Sequence, residues 1–387
     1  MKILIAGSDY NAVLLARYIK LQNPESDIYI TTEEQCNDET YTSVNIREND
    51  IPSICGFVKY NRIEFTIALS SLAIINGIAD TFKKEGFPIF APFAQAARIT
   101  FFNSIAKKIM YKLKINTPKF GIFDRENLAL DYIRRSKFPV VIENDFTLLS
   151  RESKIYETFS RAKTGLQKIF ENNNEKIVIE NYIDSDPVYV YFITDGFNAL
   201  PLTALERNSG KNFMTATAPC TNISVSSMVN ILRTVLYPLL DDISRFSDNY
   251  TGIIGLKVKL YDNNFYVHEF YNGFRHYDFQ VFLSLLNENL LTLLYDCATG
   301  TLSDNHDYVH LTDCFSYTTA VNKTAIINYK DNDEFIECID TDNLILTNTA
   351  STLNFAKENL HDYLKTICKE EIFQDIINSD KNKEIKI

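Results

Sequence analysis

The sequence predicts an α/β protein of two or three domains that opens with a doubly wound parallel sheet. Three observations lead there. The chain has 387 residues, more than one hydrophobic core usually organises. Its hydrophobic content is 45% and its charged content 23%, the balance of an ordinary globular protein. The first ninety or so residues alternate short β-rich runs with apolar-periodic helical stretches, and such alternation implies crossover connections and parallel strands.

The elements follow in order. Lys2–Ala6 reads as a buried strand that stops at Gly7, with a helix over Ala12–Lys20. Asp27–Thr31 and Phe65–Leu69 read as further strands. Asn76–Glu85 reads as a helix ended by Gly86, expected at positive φ, and Pro88 opens the strand Ile89–Phe90. Ala94–Leu113 gives one or two helices, and Pro118 marks the step into a second domain. There the expected order is strand (Lys119–Phe123), helix (Asn127–Arg134), strand (Pro139–Glu143), helix (Tyr156–Phe170), and strands Lys176–Tyr182 and Tyr189–Thr194. Asp195-Gly196 is a hairpin signal. Residues 203–222 are polar and without clear period, so they read as a loop. A long amphipathic helix is expected over Val225–Phe246, then strands Ile253–Tyr261 and Phe265–Phe270, and a helix over Ser284–Ala298 ending at Gly300. Strands near 315–328 and 344–347 with a helix over Phe355–Thr366 suggest a small C-terminal domain. The expected domains are therefore 1–117, 118–302 and 303–376, with 377–387 as a charged, mobile tail.

Charge and cysteines narrow the function classes. The net charge is −11, without the excess of Lys and Arg that a nucleic-acid binder needs to displace counterions. The nearest basic cluster, Lys107, Lys108, Lys112 and Lys114, reads as one solvated helix face. No apolar run approaches the ~20 residues that cross a bilayer, and the N-terminus reads as a first strand, not a signal peptide. Seven cysteines lie scattered without a CxxC pair, against a disulfide framework or a zinc site and in favour of the cytoplasm.

A set of framework positions adds a resemblance. Gly77-Ile78-Ala79-Asp80, Gly86, Pro88, Pro92 and Ala96-Ala97 lie in one stretch; Tyr250-Thr251-Gly252, Glu269-Phe270, Gln280 and Gly300 lie in another. Together these stretches resemble phosphoribosylamine–glycine ligase, an ATP-grasp enzyme of purine synthesis. The resemblance implies an ATP-grasp fold: an N-terminal doubly wound domain, a two-lobed nucleotide-binding domain and a small C-terminal domain. It also implies ATP and magnesium as cofactors if the activity is retained.

The family's site residues are carried over unevenly. One ATP-binding lysine falls on Asn103, and a second falls on Glu143 within Val141-Ile142-Glu143-Asn144-Asp145. At ~4 Å and an effective dielectric of ~20, one charge contact is worth about 4 kcal/mol, so reversing its sign costs roughly twice that. The Gly-rich loop over the phosphates becomes Phe146-Thr147-Leu148-Leu149-Ser150. Glu180, Asn181 and Tyr182 match the hinge whose backbone reads adenine; an edge strand between subdomains is the equal alternative. Glu269 matches the magnesium glutamate, while Tyr271 replaces the expected Asn, and a phenol is a poor magnesium ligand. Arg207 and Lys211 are the cations left in the substrate loop. Arg275, His276 and Asp278 form a new polar cluster, for which a solvated loop is the plain explanation. Gly7 stands alone where a phosphate loop would hold several glycines, and reads as a structural turn.

Two readings remain open at this point. One is a divergent ATP-dependent carboxylate–amine ligase. The other is a non-catalytic homologue that holds a small molecule in the inter-lobe cleft or a partner such as a catalytic ligase subunit.

Overall fold

The first strand sets the N-terminal domain. In β1 (Lys2–Ala6) residues Ile3 to Ala6 are fully buried, because the strand lies inside a sheet covered on both faces. The structure is a computed structural model that describes residues 1–33, 37–147, 153–172, 176–262, 264–275, 277–327, 336–339 and 342–384. β1 pairs in parallel with β2 (Asp27–Thr31) and β5 (Phe65–Ala68). With β3 (Asn37–Asp38), β4 (Tyr41–Val44) and β6 (Ile89–Phe90) the six strands run in the order β3-β4-β2-β1-β5-β6. Helices α1 (Tyr10–Gln22), α2 (Ile51–Asn61), α3 (Ser71–Ile75) and α4 (Ile78–Glu85) make the connections. Gly86 caps α4 with φ 74°, as the sequence predicts. β3, β4, α2 and α3 had no counterpart in the sequence reading. α2 buries only Ile51, Ile54 and Val58, a narrow stripe between a capping Asp50 and a polar outer face.

Two helices, α5 (Ala94–Phe101) and α6 (Asn103–Lys112), lead out of this domain. A four-stranded antiparallel sheet follows, with β7 (Phe120–Phe123), β8 (Val140–Asn144), β9 (Ser153–Tyr156) and β10 (Ile177–Asn181) in the order β7-β10-β8-β9. Helices α7 (Glu126–Arg134) and α8 (Phe159–Asn172) cover one face, packing Ala129, Ile133 and Leu166 on Ile142 and Ile179. β10 is therefore an interior strand, not an edge strand.

The third sheet is the largest. It runs β15-β14-β11-β12-β13-β16-β18-β17, antiparallel throughout. Its strands are β11 (Pro187–Thr194), β12 (Ala199–Ser209), β13 (Phe213–Ala218), β14 (Gly252–Tyr261) and β15 (Asn264–Asn272), then β16 (Phe315–Asn322), β17 (Ile336–Ile339) and β18 (Asn343–Ala350). Most of residues 203–222, expected as a loop, is thus strand. The buried residues there include Thr203 and Thr215, polar by composition but β-branched and suited to a packed sheet. α9 (Val225–Ile231) and α10 (Tyr237–Ser244) form the long helix with a π turn, Leu232–Leu236, between them. The helix expected over 284–298 is two, α11 (Asp278–Leu285) and α12 (Leu290–Thr299), the second capped by Asn289, with α13 (Leu302–Asn305) after it.

The C-terminal segment extends this sheet by three strands and covers it with α14 (Leu353–Ile367) and α15 (Glu370–Glu384). The tail was expected to be mobile, but α15 carries the chain to Glu384. Asp380 is buried and accepts a 2.8 Å hydrogen bond from the Tyr317 hydroxyl. The partner of the tail is a strand far upstream, which a local reading of charge does not reveal.

Candidate functional site

The face of the small sheet turned away from α7 and α8 carries acidic residues. Glu143 pairs across with Val178, so Glu180, two residues on, lies on the same face. α6 runs beside it. Lys107, expected on a solvated surface, is 1% exposed, and its Nζ donates to Glu180 Oε2 at 2.5 Å and to Thr117 Oγ1 at 2.9 Å. The other Glu180 oxygen meets His268 Nδ1 at 3.0 Å. Burial alone would raise the Glu180 carboxyl, but the Lys107 charge and the His268 hydrogen bond outweigh it and bring it down to about 2.

His268 reaches Glu180 because β15 is irregular. Lys257 pairs with Glu269 and Val258 with Val267, which leaves His268 as the extra residue of a bulge. Bulges re-aim side chains in this way. His268 Nε2 is buried and, among the described residues, has no hydrogen-bond partner. Burial lowers the imidazole pKa, against the pull of Glu180.

Glu143 lies at the position of the expected second lysine. It is 4% exposed, and among the described residues it has no ion pair; its polar contact is the Asn103 amide, at 3.4 Å. Burial, then the neighbouring Glu180 and Glu269, push its carboxyl up to about 8. The N-terminus of α6, where a helix favours a phosphate, is already taken. Asp145 accepts from Ser104 N at 2.6 Å and from Ser104 Oγ at 2.9 Å, while Asn103 Nδ2 donates to Asn144 O at 2.9 Å. The Phe102 and Phe146 rings pack together at 5.0 Å on the same approach. Leu148, Leu149 and Ser150 lie outside the described residues.

The backbone of the hinge is engaged as well. Asn181 N–H donates to Lys119 O at 2.9 Å, and Tyr182 N–H to Pro139 O at 3.3 Å. The Tyr182 ring sits under Lys259 Nζ at 4.7 Å.

The large sheet forms the opposing wall. Glu269 faces Lys257 across the strands, Oε1 to Nζ at 2.6 Å. Burial would lower the Lys257 ammonium, but Glu269 holds it well above its ordinary pKa. Tyr271 is fully buried, and its hydroxyl accepts from Arg275 Nη1 at 2.9 Å. Arg275 stacks over the Tyr271 ring at 4.5 Å.

Asp278 corrects the expectation of a solvated loop. It is fully buried, accepts from Arg207 Nε at 2.6 Å and from the Tyr191 hydroxyl at 2.5 Å, and also binds Arg207 Nη2. Arg207, one of two cations expected to meet a phosphate, is therefore held by a carboxylate. Burial would lower its pKa, and Asp278 more than reverses that. His276 lies outside the described residues.

The structure thus gathers Glu143, Glu180, Glu269 and Asn103 into one buried cluster, and places Arg207, Arg275 and Tyr271 along the same large-sheet wall. The sequence reading missed Lys107, Asp145 and His268. His268 stands directly before Glu269, but regular alternation would put the two on opposite faces.

Comparison with known proteins decides the lineage. Residues 1–100 match the model for the phosphoribosylglycinamide synthetase N domain, and residues 103–278 match its ATP-grasp (A) domain. The chain belongs to the phosphoribosylglycinamide synthetase family. It is 26% identical over 318 residues to phosphoribosylamine–glycine ligase of Caldanaerobacter subterraneus, covering 79% of this chain and 76% of that one. The ligase of Lactococcus lactis is also 26% identical, over 78% and 75% of the two chains. Among solved structures, the phosphoribosylamine–glycine ligase of Thermotoga maritima superposes with a TM-score of 0.75 at 15% identity, over 96% of this chain and 98% of that one. The biotin carboxylase domain of Hydrogenobacter thermophilus 2-oxoglutarate carboxylase gives 0.74 at 13% identity, over 95% and 90%. The fold is the α/β ATP-grasp architecture. At about a quarter identity to the curated ligases, this member is divergent. No helix among its described residues is long and apolar enough to cross a membrane.

Proposed function

We propose that this family member has lost the ligation of glycine to phosphoribosylamine and uses the inter-lobe cleft to hold a different small molecule. One observation carries the reading. Where the family sets lysines against ATP, this chain has the amide of Asn103 and the buried carboxyl of Glu143, which has no ion pair among the described residues. A triphosphate in that pose would meet Glu143 and Asp145 before any free cation, since Lys107 is bound to Glu180 and Lys257 to Glu269.

Magnesium–ATP does not fit these residues in the family's pose. Glu269 offers a carboxylate but gives one oxygen to Lys257, and Tyr271, two residues on, is a buried phenol pushed above its ordinary pKa by burial and by Glu269. Two N–H groups of the hinge, a natural reader of a flat ring, are bonded within the sheet. The wall that remains is a set of balanced ion pairs with an unsatisfied imidazole nitrogen, suited to a ligand that is uncharged or carries hydrogen-bond donors.

Calorimetry with magnesium–ATP tests this directly. The expected result is no binding in the micromolar range. Micromolar binding that disappears when Glu180 or Tyr182 is substituted would overturn the proposal and restore the divergent-ligase reading.

A further inference from the structure

We infer that the groove at the C-terminal end of α6 is a second binding site, for a small organic anion that carries an apolar ring. A cavity of about 740 Å³ opens there, between the end of α6 and the start of β7. That volume lies in the ~300–1,000 Å³ range of small-molecule pockets. Buried Ile115 lines it, and Tyr111, 78% exposed, offers an aromatic face on the same groove.

The charge of the groove runs against that of the molecule. The chain carries a net −11, yet Lys108, Lys114 and Lys119 all line this one cavity. All three are exposed, and among the described residues none of their ammonium groups has an ion pair or a hydrogen bond. Three free cations around an apolar floor complement a ligand with both a ring and a negative group.

A plainer account would have these lysines complement the C-terminal dipole of α6. Lys112, in the last turn, already stands there and pairs with Asp242 at 2.5 Å. Lys114 sits beyond the turn at φ 57°, where Ile115 N–H returns to Met110 O at 2.8 Å and Lys114 N–H to Tyr111 O at 3.2 Å. That left-handed position is usually glycine or asparagine, and a lysine there carries backbone strain. The dipole does not require this residue; a cationic groove uses it.

The groove is separate from the inter-lobe cleft but shares a wall with it. Thr117 lines the groove, and its hydroxyl accepts from Lys107, the residue that holds Glu180.

Fluorescence titration of the full chain with 1-anilinonaphthalene-8-sulfonate, an aromatic anion, tests the site. The expected result is a single class of site that weakens with added salt and is roughly tenfold weaker in Lys108→Ala/Lys119→Ala. Lys114→Gly should bind more weakly yet melt higher, because strain is relieved as charge is removed. The uncharged N-phenyl-1-naphthylamine should not saturate. Glu143→Gln, a change in the cleft, should leave the affinity unchanged, which separates this site from the cleft reading. Wild-type affinity in the double variant, equal binding of the uncharged compound, or no saturable binding to the native chain would each overturn the inference.

Discussion

Glu143 shows how one substitution can change the character of a buried site. A lysine there would extend toward phosphate; a glutamate beside Glu180 and Glu269 finds no cation of its own among the described residues, since Lys107 and Lys257 are already paired. Proton uptake is the way such a carboxyl survives burial. Its folded value is about 8 against an ordinary 4.5, so between those pH values the folded chain holds a proton that the unfolded chain has lost. Its contribution is therefore fully present below the ordinary carboxyl value and is lost as pH rises through about 8. Glu180 works in the opposite sense and in a lower window: its carboxyl is depressed to about 2, so its contribution is lost only as pH falls toward that value. Chemical denaturation from pH 5 to 9 should then show wild-type stability declining, by roughly 4 kcal/mol across the range. Glu143→Gln should flatten that decline and be the more stable chain at the alkaline end. Parallel profiles for the two chains would refute the assignment of the titration to Glu143.

At the scale of elements, the chain was most legible where local rules act alone. β1, β2 and β6 appear with the bounds that their apolar, β-branched runs imply, and the end of α4 follows from one glycine. Gly86 gives a clean measurement of that local rule. A Cβ there would touch nothing within 4 Å, so the cost of a side chain comes from φ 74° alone. Gly86→Val should lower stability by at least ~1 kcal/mol, read as a fall in denaturation midpoint at constant slope, and Gly86→Asn by clearly less. Equal losses for valine and asparagine would point to packing, not backbone strain. The less legible elements are those defined by distant partners. Polar residues in β12 and β13 gave no apolar alternation because threonines fill buried positions there. Lys107 looked like surface because its partner Glu180 is 73 residues away. The sequence marked Asn103, Glu143 and Tyr271 as departures from the family, and the structure adds what occupies the space: two ion pairs, a bulged histidine and a capped helix N-terminus.

At the scale of the molecule, the eight-stranded sheet joins the two ends of the argument. β12 carries Arg207 into the cleft wall, and the same strand lies next to β13, which β16 extends into the C-terminal segment. α15 packs Ile372, Phe373 and Ile376 into the core that holds Tyr317, Leu360 and Leu364. Its Asp380 receives the buried Tyr317 hydroxyl and lies 3.2 Å from His361 Nε2. Burying three such apolar side chains is worth roughly 1.5–3 kcal/mol each before entropy is subtracted, a large share of the ~5–15 kcal/mol by which domains are stable. Deleting residues 370–387 should therefore lower the melting temperature steeply and expose apolar surface. Asp380→Asn, which keeps the shape and removes the charge, should destabilise far less. A tail that merely trailed in solvent would come off without effect. An unchanged melting curve for the truncated chain would show that α15 is not part of the cooperative fold, and would remove the link by which the C-terminal segment steadies the strand that presents Arg207.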